Sequence, residues 1–232
     1  MTLAIMQPYF MPYIGYFQLM KAVDRFVIYD DVAFINRGWV NRNQILVSGR
    51  AYLFTIPLRE ASQNRLIGDI ELDNSTPWRA KLLRTVEQSY KKAPQFEAIF
   101  GLLERVLNSQ STTIAQLATE GLRAVNQHLG IETELIESSS VYQNQHLKGQ
   151  ERILNICQQN GATRYINPIG GAELYDKSIF SEVGIQLYFI ESQRAKYAQF
   201  GGEFTPWLSM LDVLMFNDPA QTHRLLDQFT LR

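Results

Sequence analysis

A chain of 232 residues with 46% hydrophobic and 19% charged side chains is long enough to bury a core covering roughly 70% of its unfolded surface, and it reads as one domain over 1–232. With 22 basic against 23 acidic residues the net charge is −1, so no global field recruits nucleic acid or an anionic membrane surface. The single cysteine excludes an internal disulfide or a multi-cysteine metal site. No apolar run reaches the ~18 residues of a membrane span, and no signal-peptide pattern opens the chain, which points to the cytoplasm.

The first apolar run, "LAIMQ", is β-capable and enters an uncharged loop, "MQPYFMPYIGYF" (Met6 to Phe17). In "YFQLMKAVD", Phe17, Met20 and Val23 lie at helical spacing. "RFVIYDD" (Arg25 to Asp31) follows, a near-continuous apolar run ending in two aspartates, as a buried parallel strand with a functional carboxyl end would. Strand, helix and strand make a βαβ crossover, whose right-handed geometry brings the first loop and Asp30 and Asp31 to one sheet edge.

"NRGWVNRNQI" gathers Asn41, Arg42 and Asn43 around Trp39. It reads as a loop, either solvated and anchored by the indole or shaped for an anionic or amide-rich ligand, since Arg captures carboxylate or phosphate in a bidentate manner. "AYLFTIPL" (Ala51 to Leu58) reads as a third strand after the turn "SGR", and "IGDIELDN" (Ile67 to Asn74) as an edge strand. Ser75 or Thr76 with Pro77 signals a helix start, and 76–130 reads as three successive helices, a helical segment beside the sheet closed by Gly130. His128 in the last of these turns suits the helix dipole and is structural.

The α/β rhythm then resumes with strands in "ETELIESSSV", "TRYINP" and "IQLYFIE" and helices between them. Cys157 sits in an apolar helical stripe and reads as a core thiol rather than a nucleophile. "NPIGG" carries Asn167, Gly170 and Gly171 after a strand; it is an ordinary turn or a loop whose backbone approaches an oxyanion, and it is neither GxGxxG nor a P-loop. In "FTPWLSMLDVLMFNDP", Ser209 and Asp212 share one helical face in an apolar helix ended by Asp218 and Pro219, so they either satisfy a neighbouring loop or line a pocket. His128, His146 and His223 stand in no triad or metal-binding context.

Taken in order, "QPYFMPYIGYF", "DRFVIYDDVAF", "GWVNRNQI", Tyr90 to Phe96, "GATRYINPIGGAELY" and "FTPWLSMLDVL" resemble the WbqC-like family over essentially the whole chain. Members of that family occur among bacterial O-antigen and related surface-polysaccharide genes. The resemblance implies acylation of an amino sugar or glycan precursor, with glycine transfer proposed for some members. Its motif positions correspond here to Gln7, Pro8, Pro12, Gly15, Tyr16, Asp30, Asp31, Trp39, Asn41, Arg42 and Asn43. Later in the chain they correspond to Tyr165, Gly170, Tyr175, Tyr197, Ser209 and Asp212.

The first unit also resembles that of the nucleotidyltransferases, with Tyr13 and Tyr16 where their two phosphate-binding histidines stand. Tyrosine is neutral at pH 7 and offers no cation to a developing phosphate charge.

The expectation is an α/β fold with a mostly parallel sheet, Rossmann-like or nucleotidyltransferase-like, carrying a helical insertion. The expected activity is acyl or aminoacyl transfer to an amino-sugar nucleotide, so the partner is a small molecule, a sugar nucleotide or an acyl or aminoacyl donor. Asp30 or Asp31 is the general base, Arg42 with Asn41 and Asn43 holds the donor or diphosphate, and Tyr9 and Tyr16 form an aromatic wall. Gln7, Trp39, Asn167, Gly170, Gly171, Tyr197, Ser209 and Asp212 complete the expected binding set. No motif names a cofactor or an oligomeric state. The competing readings are a non-catalytic carbohydrate- or carrier-binding protein and a degenerate nucleotidyltransferase-like enzyme.

Overall fold

The structure is a computed structural model that describes residues 1–193 and 195–232. Its centre is a six-stranded sheet built from β1 (Thr2–Met6), β2 (Arg25–Ile28), β5 (Glu134–Ile136), β6 (Arg164–Pro168), β7 (Gln186–Ser192) and β8 (Phe229–Leu231), in the order β5-β2-β1-β6-β7-β8. Every neighbouring pair is parallel except β7 with β8. The mostly parallel α/β fold expected from the sequence is therefore present.

Leu3, Ala4 and Ile5 of β1 and Phe26, Val27 and Ile28 of β2 are all buried, as strands covered on both faces require. Alternation sends Leu3, Ile5 and Val27 to one face, against Ile153, Ile156 and Cys157 of α5 (Gly149–Gln159) and Phe180 of α6 (Lys177–Glu182). Ala4, Phe26 and Ile28 face the other side, where α1 (Ile14–Lys21) and α8 (Pro219–Leu226) lie. Chain order reverses at β1, so the gap between the carboxyl ends of β1 and β6 is the switch point of the sheet.

Between β2 and β5 the chain builds an antiparallel hairpin, β3 (Arg42–Val47) with β4 (Arg50–Thr55), and three helices: α2 (Trp78–Tyr90), α3 (Phe96–Leu107) and α4 (Ile114–Leu129). α4 opens on a capping box between Thr113 and Gln116 and stops at Gly130, whose φ of 65° needs no Cβ.

Four local readings change. The second half of "NRGWVNRNQI" is strand, because Ser48 and Gly49 (φ 51° and 75°) form a two-residue turn that folds β4 back onto β3. That pairing also keeps β4 out of the main sheet. Ile67 to Asn74 is not an edge strand: Ile67–Asp69 is a 3₁₀ turn, and only single bridges follow, Leu72 to Leu58 and Glu71 to Thr113. α2 starts at Trp78 with Pro77 before it, while Ser75 donates its backbone N–H to Asp73 rather than capping the helix. Asp218 caps α8 through a capping box with Gln221, beginning a helix just after α7 (Met210–Phe216) has ended.

Candidate functional site

The first loop leaves the carboxyl end of β1 under tight control. Met11 has a φ of 45°, a conformation costly for a residue that carries a Cβ, and its carbonyl accepts from Asn43 Nδ2 at 2.6 Å and from Ser209 Oγ at 2.7 Å. Both donors are buried. Met210 N donates to the Pro12 carbonyl at 2.8 Å, and Phe10 N to the Val40 carbonyl at 3.0 Å, so the hairpin and the α7 end grip the loop from two sides. Tyr16 stands behind Tyr9, ring centroids 5.7 Å apart, and is fully buried with its hydroxyl donating to the Gln7 carbonyl at 2.9 Å. It backs the wall and leaves Tyr9 to face outward. Gln7 accepts the Tyr9 hydroxyl at 3.4 Å.

Outside this clamp lies an open cleft of about 490 Å³. Tyr9, Pro12 and Tyr13 of the loop form one side, and Trp39, Asn43 and Gln44 of the hairpin region the other. Trp207 closes the mouth from the segment after β7, in a left-handed conformation (φ 62°), with its ring 6.1 Å from Tyr13. Trp39 and Trp207 are 49% and 57% exposed, so each leaves much of its indole surface open. The Tyr13 ring folds over Gly15, where a Cβ would meet it at 2.4 Å. Burial pushes the Tyr9 and Tyr13 phenols above their ordinary pKa, so they remain neutral hydrogen-bonding groups. Arg42 borders the cleft, 5.9 Å from the Trp39 ring, with its guanidinium donating to the Gly38 carbonyl at 2.9 Å and to that of Arg37. Asn41 is turned to the Ile56 carbonyl at 2.8 Å.

Asp30 and Asp31 follow β2 at the same sheet edge but do not line this cleft. Asp31 is buried in an ion pair with Arg152 of α5 at 2.5 Å and also accepts from Gln145 at 3.0 Å and from the Ser139 hydroxyl. Arg152 in turn stacks over Tyr29 at 4.9 Å and donates to Asn144 at 2.9 Å. Asp30 accepts from Ser138 Oγ at 2.7 Å and Ser139 N at 3.2 Å, both at Oδ1, while Oδ2 lies against Gly68, where a Cβ would come within 3.0 Å. Burial raises the Asp30 pKa against the lowering effect of these donors.

The model of the WbqC-like protein family matches residues 7–224, spanning the loop, the hairpin, both aspartates and α7. The chain belongs to the WbqC-like protein family. It is also 33% identical over 222 residues, 94% of either chain, to the uncharacterized protein Rv1507c of Mycobacterium tuberculosis. No solved structure matches it.

The remaining expected site residues of this WbqC-like chain fall into two groups. Asp212 is fully buried and accepts from the hydroxyls of Tyr90 and Tyr197, each at 2.6 Å, and from Gln199 at 2.8 Å. Tyr90 in turn accepts from Leu46 N at 2.7 Å, so Asp212 ties β3, α2, α7 and the segment carrying Trp207 together. Asn167 is buried at the end of β6 and accepts from the Tyr165 hydroxyl at 3.2 Å; its amide lies 2.1 Å from where a Gly171 Cβ would be, so a side chain there would displace it, while Gly170 is open around its Cα. Tyr13, Gln44 and Trp207 join the cleft without having been singled out as ligand residues. Each lies inside a motif that the sequence did bring out, but their convergence depends on the hairpin.

Among the described residues no cluster of His, Cys, Asp and Glu could hold a metal ion, and no helix is long and apolar enough to cross a membrane. Cys157 is buried, and burial pushes its thiol up to about 12, as for a core residue. Chemically, the described residues of this WbqC-like site offer aromatic faces, amides and neutral phenols, with the Arg42 guanidinium at the border. Such a set suits a polyhydroxylated ring better than an anion.

Proposed function

We propose that this WbqC-like protein binds an amino-sugar nucleotide and transfers an acyl or aminoacyl group, glycine among them, to the sugar amine during surface-polysaccharide (O-antigen) synthesis. The aromatic cleft is the observation that carries the reading: Tyr9, Tyr13, Trp39 and Trp207 present ring faces suited to a sugar, with Gln44 for its polar groups. Arg42 borders that cleft and would meet the diphosphate by exchanging its carbonyl partners. Asp30, at the end of the strand next to β1 and with a raised pKa, would take the proton as the amine nitrogen bonds the donor carbonyl and the donor's leaving group departs with the bonding electron pair. The glycan setting rests on what resemblance to the WbqC-like family implies.

One observation favours a second reading, a saccharide- or carrier-binding protein without turnover: both aspartates are committed to Ser138, Ser139 and Arg152, and neither lines the cleft. The degenerate nucleotidyltransferase reading has less support, because Tyr16 is buried and donates to Gln7 instead of facing a phosphate. The test is a thermal-shift screen of the purified protein with amino-sugar nucleotides, amino acids, ATP and acyl-CoA, followed by mass spectrometry of any stabilising pair. Acylated product that disappears in Asp30→Asn while ligand stabilisation persists supports transfer. Stabilisation without product favours the binding protein, and no stabilisation by any sugar nucleotide rejects the transfer reading.

A further inference from the structure

The outer edge of β4 is a strand seat that the chain itself begins to fill and then leaves. The two-residue turn makes Val47 and Arg50 a hydrogen-bonded pair, so Tyr52 and Phe54 bond toward β3 and the backbone groups of Ala51, Leu53 and Thr55 point away from it. Past the end of β4 the same outward edge is occupied: Arg59 N donates to the Glu71 carbonyl and Asp73 N to the Pro57 carbonyl, both at 2.9 Å, with Leu58 and Leu72 as antiparallel partners. This bridging segment then turns off at Ser75, held by Asp73, and Pro77 leads it into α2.

Where it leaves, a groove of about 460 Å³ opens between β4 and α2. Leu53 and Thr55 stand on the strand side, and Trp78, Lys81 and Thr85 on the helix side. Soluble proteins guard free strand edges with charge, proline or a bulge. β4 has none of these past Arg50, and its Tyr52 and Leu53 are more than two-fifths exposed.

The chain's own bridging segment gives the chemistry of the occupant. Ile70, Glu71, Leu72 and Asp73 alternate apolar with acidic side chains, and Glu71 pairs with Arg59 at 3.5 Å. The groove continues that pattern, since Lys81 is the one charged side chain lining it among the described residues. The geometry points to a docking site for an extended peptide of alternating apolar and acidic residues, which adds to β4 antiparallel, enters at Thr55 and runs toward Ala51. Backbone pairing with Leu53 would supply affinity, and Lys81 would select the acidic side chain. This site is separate from the aromatic cleft and does not depend on its ligand.

The probe is a fluorescein-labelled peptide of alternating leucine and glutamate, capped at both ends and titrated into the full chain by fluorescence anisotropy. Saturable binding is expected, weakened at least about tenfold by Lys81→Glu. It should be lost when the peptide is N-methylated at the residues facing β4. Leu53→Pro, which removes an outward N–H without touching the β3 ladder, should also abolish it; if that variant is unfolded by circular dichroism, the N-methylated peptide and Lys81→Glu carry the test. The inference is overturned if the wild-type chain shows no saturable binding, if the N-methylated peptide binds equally, or if the edge proves to join two copies of the chain in a dimer that blocks the peptide.

Discussion

The side-chain amide of Asn43 holds the Met11 carbonyl at 2.6 Å, and Met11 is the residue at which the first loop adopts a positive φ. A conformation of that kind costs about 1–3 kcal/mol and persists only where its surroundings enforce it. Asn43 and Ser209 do so jointly, from two segments far apart in the chain. Asn43→Ala should therefore lower stability by about 1–3 kcal/mol, read from urea midpoints, because a buried carbonyl loses a donor. Asn43→Asp should cost more, since a carboxylate then faces the carbonyl. Equal stability of wild type and both variants would remove the clamp.

Gly15→Ala separates cleft shape from stability. Alanine favours a helix over glycine by about 1 kcal/mol, but here its Cβ would collide with the Tyr13 ring. The ring has to swing out, so melting temperature should change little while affinity for whichever sugar nucleotide stabilises the wild type falls. Tyr13→Ala alone should weaken that ligand comparably, and adding Gly15→Ala to it should cause no further loss in a calorimetric titration.

Asp212 gives a signed pH dependence. Burial raises its pKa in the folded state despite the donors Tyr197, Tyr90 and Gln199. Its contribution is then complete below the unfolded carboxylate pKa and is lost as pH rises through the raised folded value. Asp212→Asn removes that titration but turns an amide N–H₂ toward existing donors, costing about 1–3 kcal/mol. The gap between wild type and variant should be widest in acid and narrow as pH rises, in denaturation series from pH 4 to 8. A gap that widens with pH would contradict this assignment.

Arg152→Met leaves Asp31 buried without its cation, a change that costs about 3–5 kcal/mol. The double variant Arg152→Met with Asp31→Leu should recover much of that loss. Thermal and urea unfolding of the three proteins measure it, and a double variant as unstable as the single one would mean that the pair's hydrogen-bonded surroundings, rather than the stranded charge, set the cost.

The parallel sheet was legible because β1 and β2 are continuous apolar runs and because a βαβ unit has one hand, which puts the first loop and Asp30 at one edge. Ser209 and Asp212 were legible as buried polar groups in need of partners, but the partners were not: Met11, Tyr90 and Tyr197 lie far off in sequence. β3 was hidden by its polar start, Arg42, Asn43 and Gln44, whose side chains serve the loop and the cleft instead of displaying a strand alternation. Arg152 gave no local signal at all, sitting in an ordinary amphipathic helix whose relation to Asp31 is created by the β5 to β6 crossover.

The cleft draws its walls from residues 9–13, from 39–44 and from Trp207, three stretches that only the finished fold brings together. A chain that has paired β1 with β2 but has not yet seated α7 against Met11 has a sheet and no cleft. Trp39 and Trp207 stand on two of those stretches, so with the buried Trp78 of α2 replaced by phenylalanine their emission reports whether the cleft is assembled.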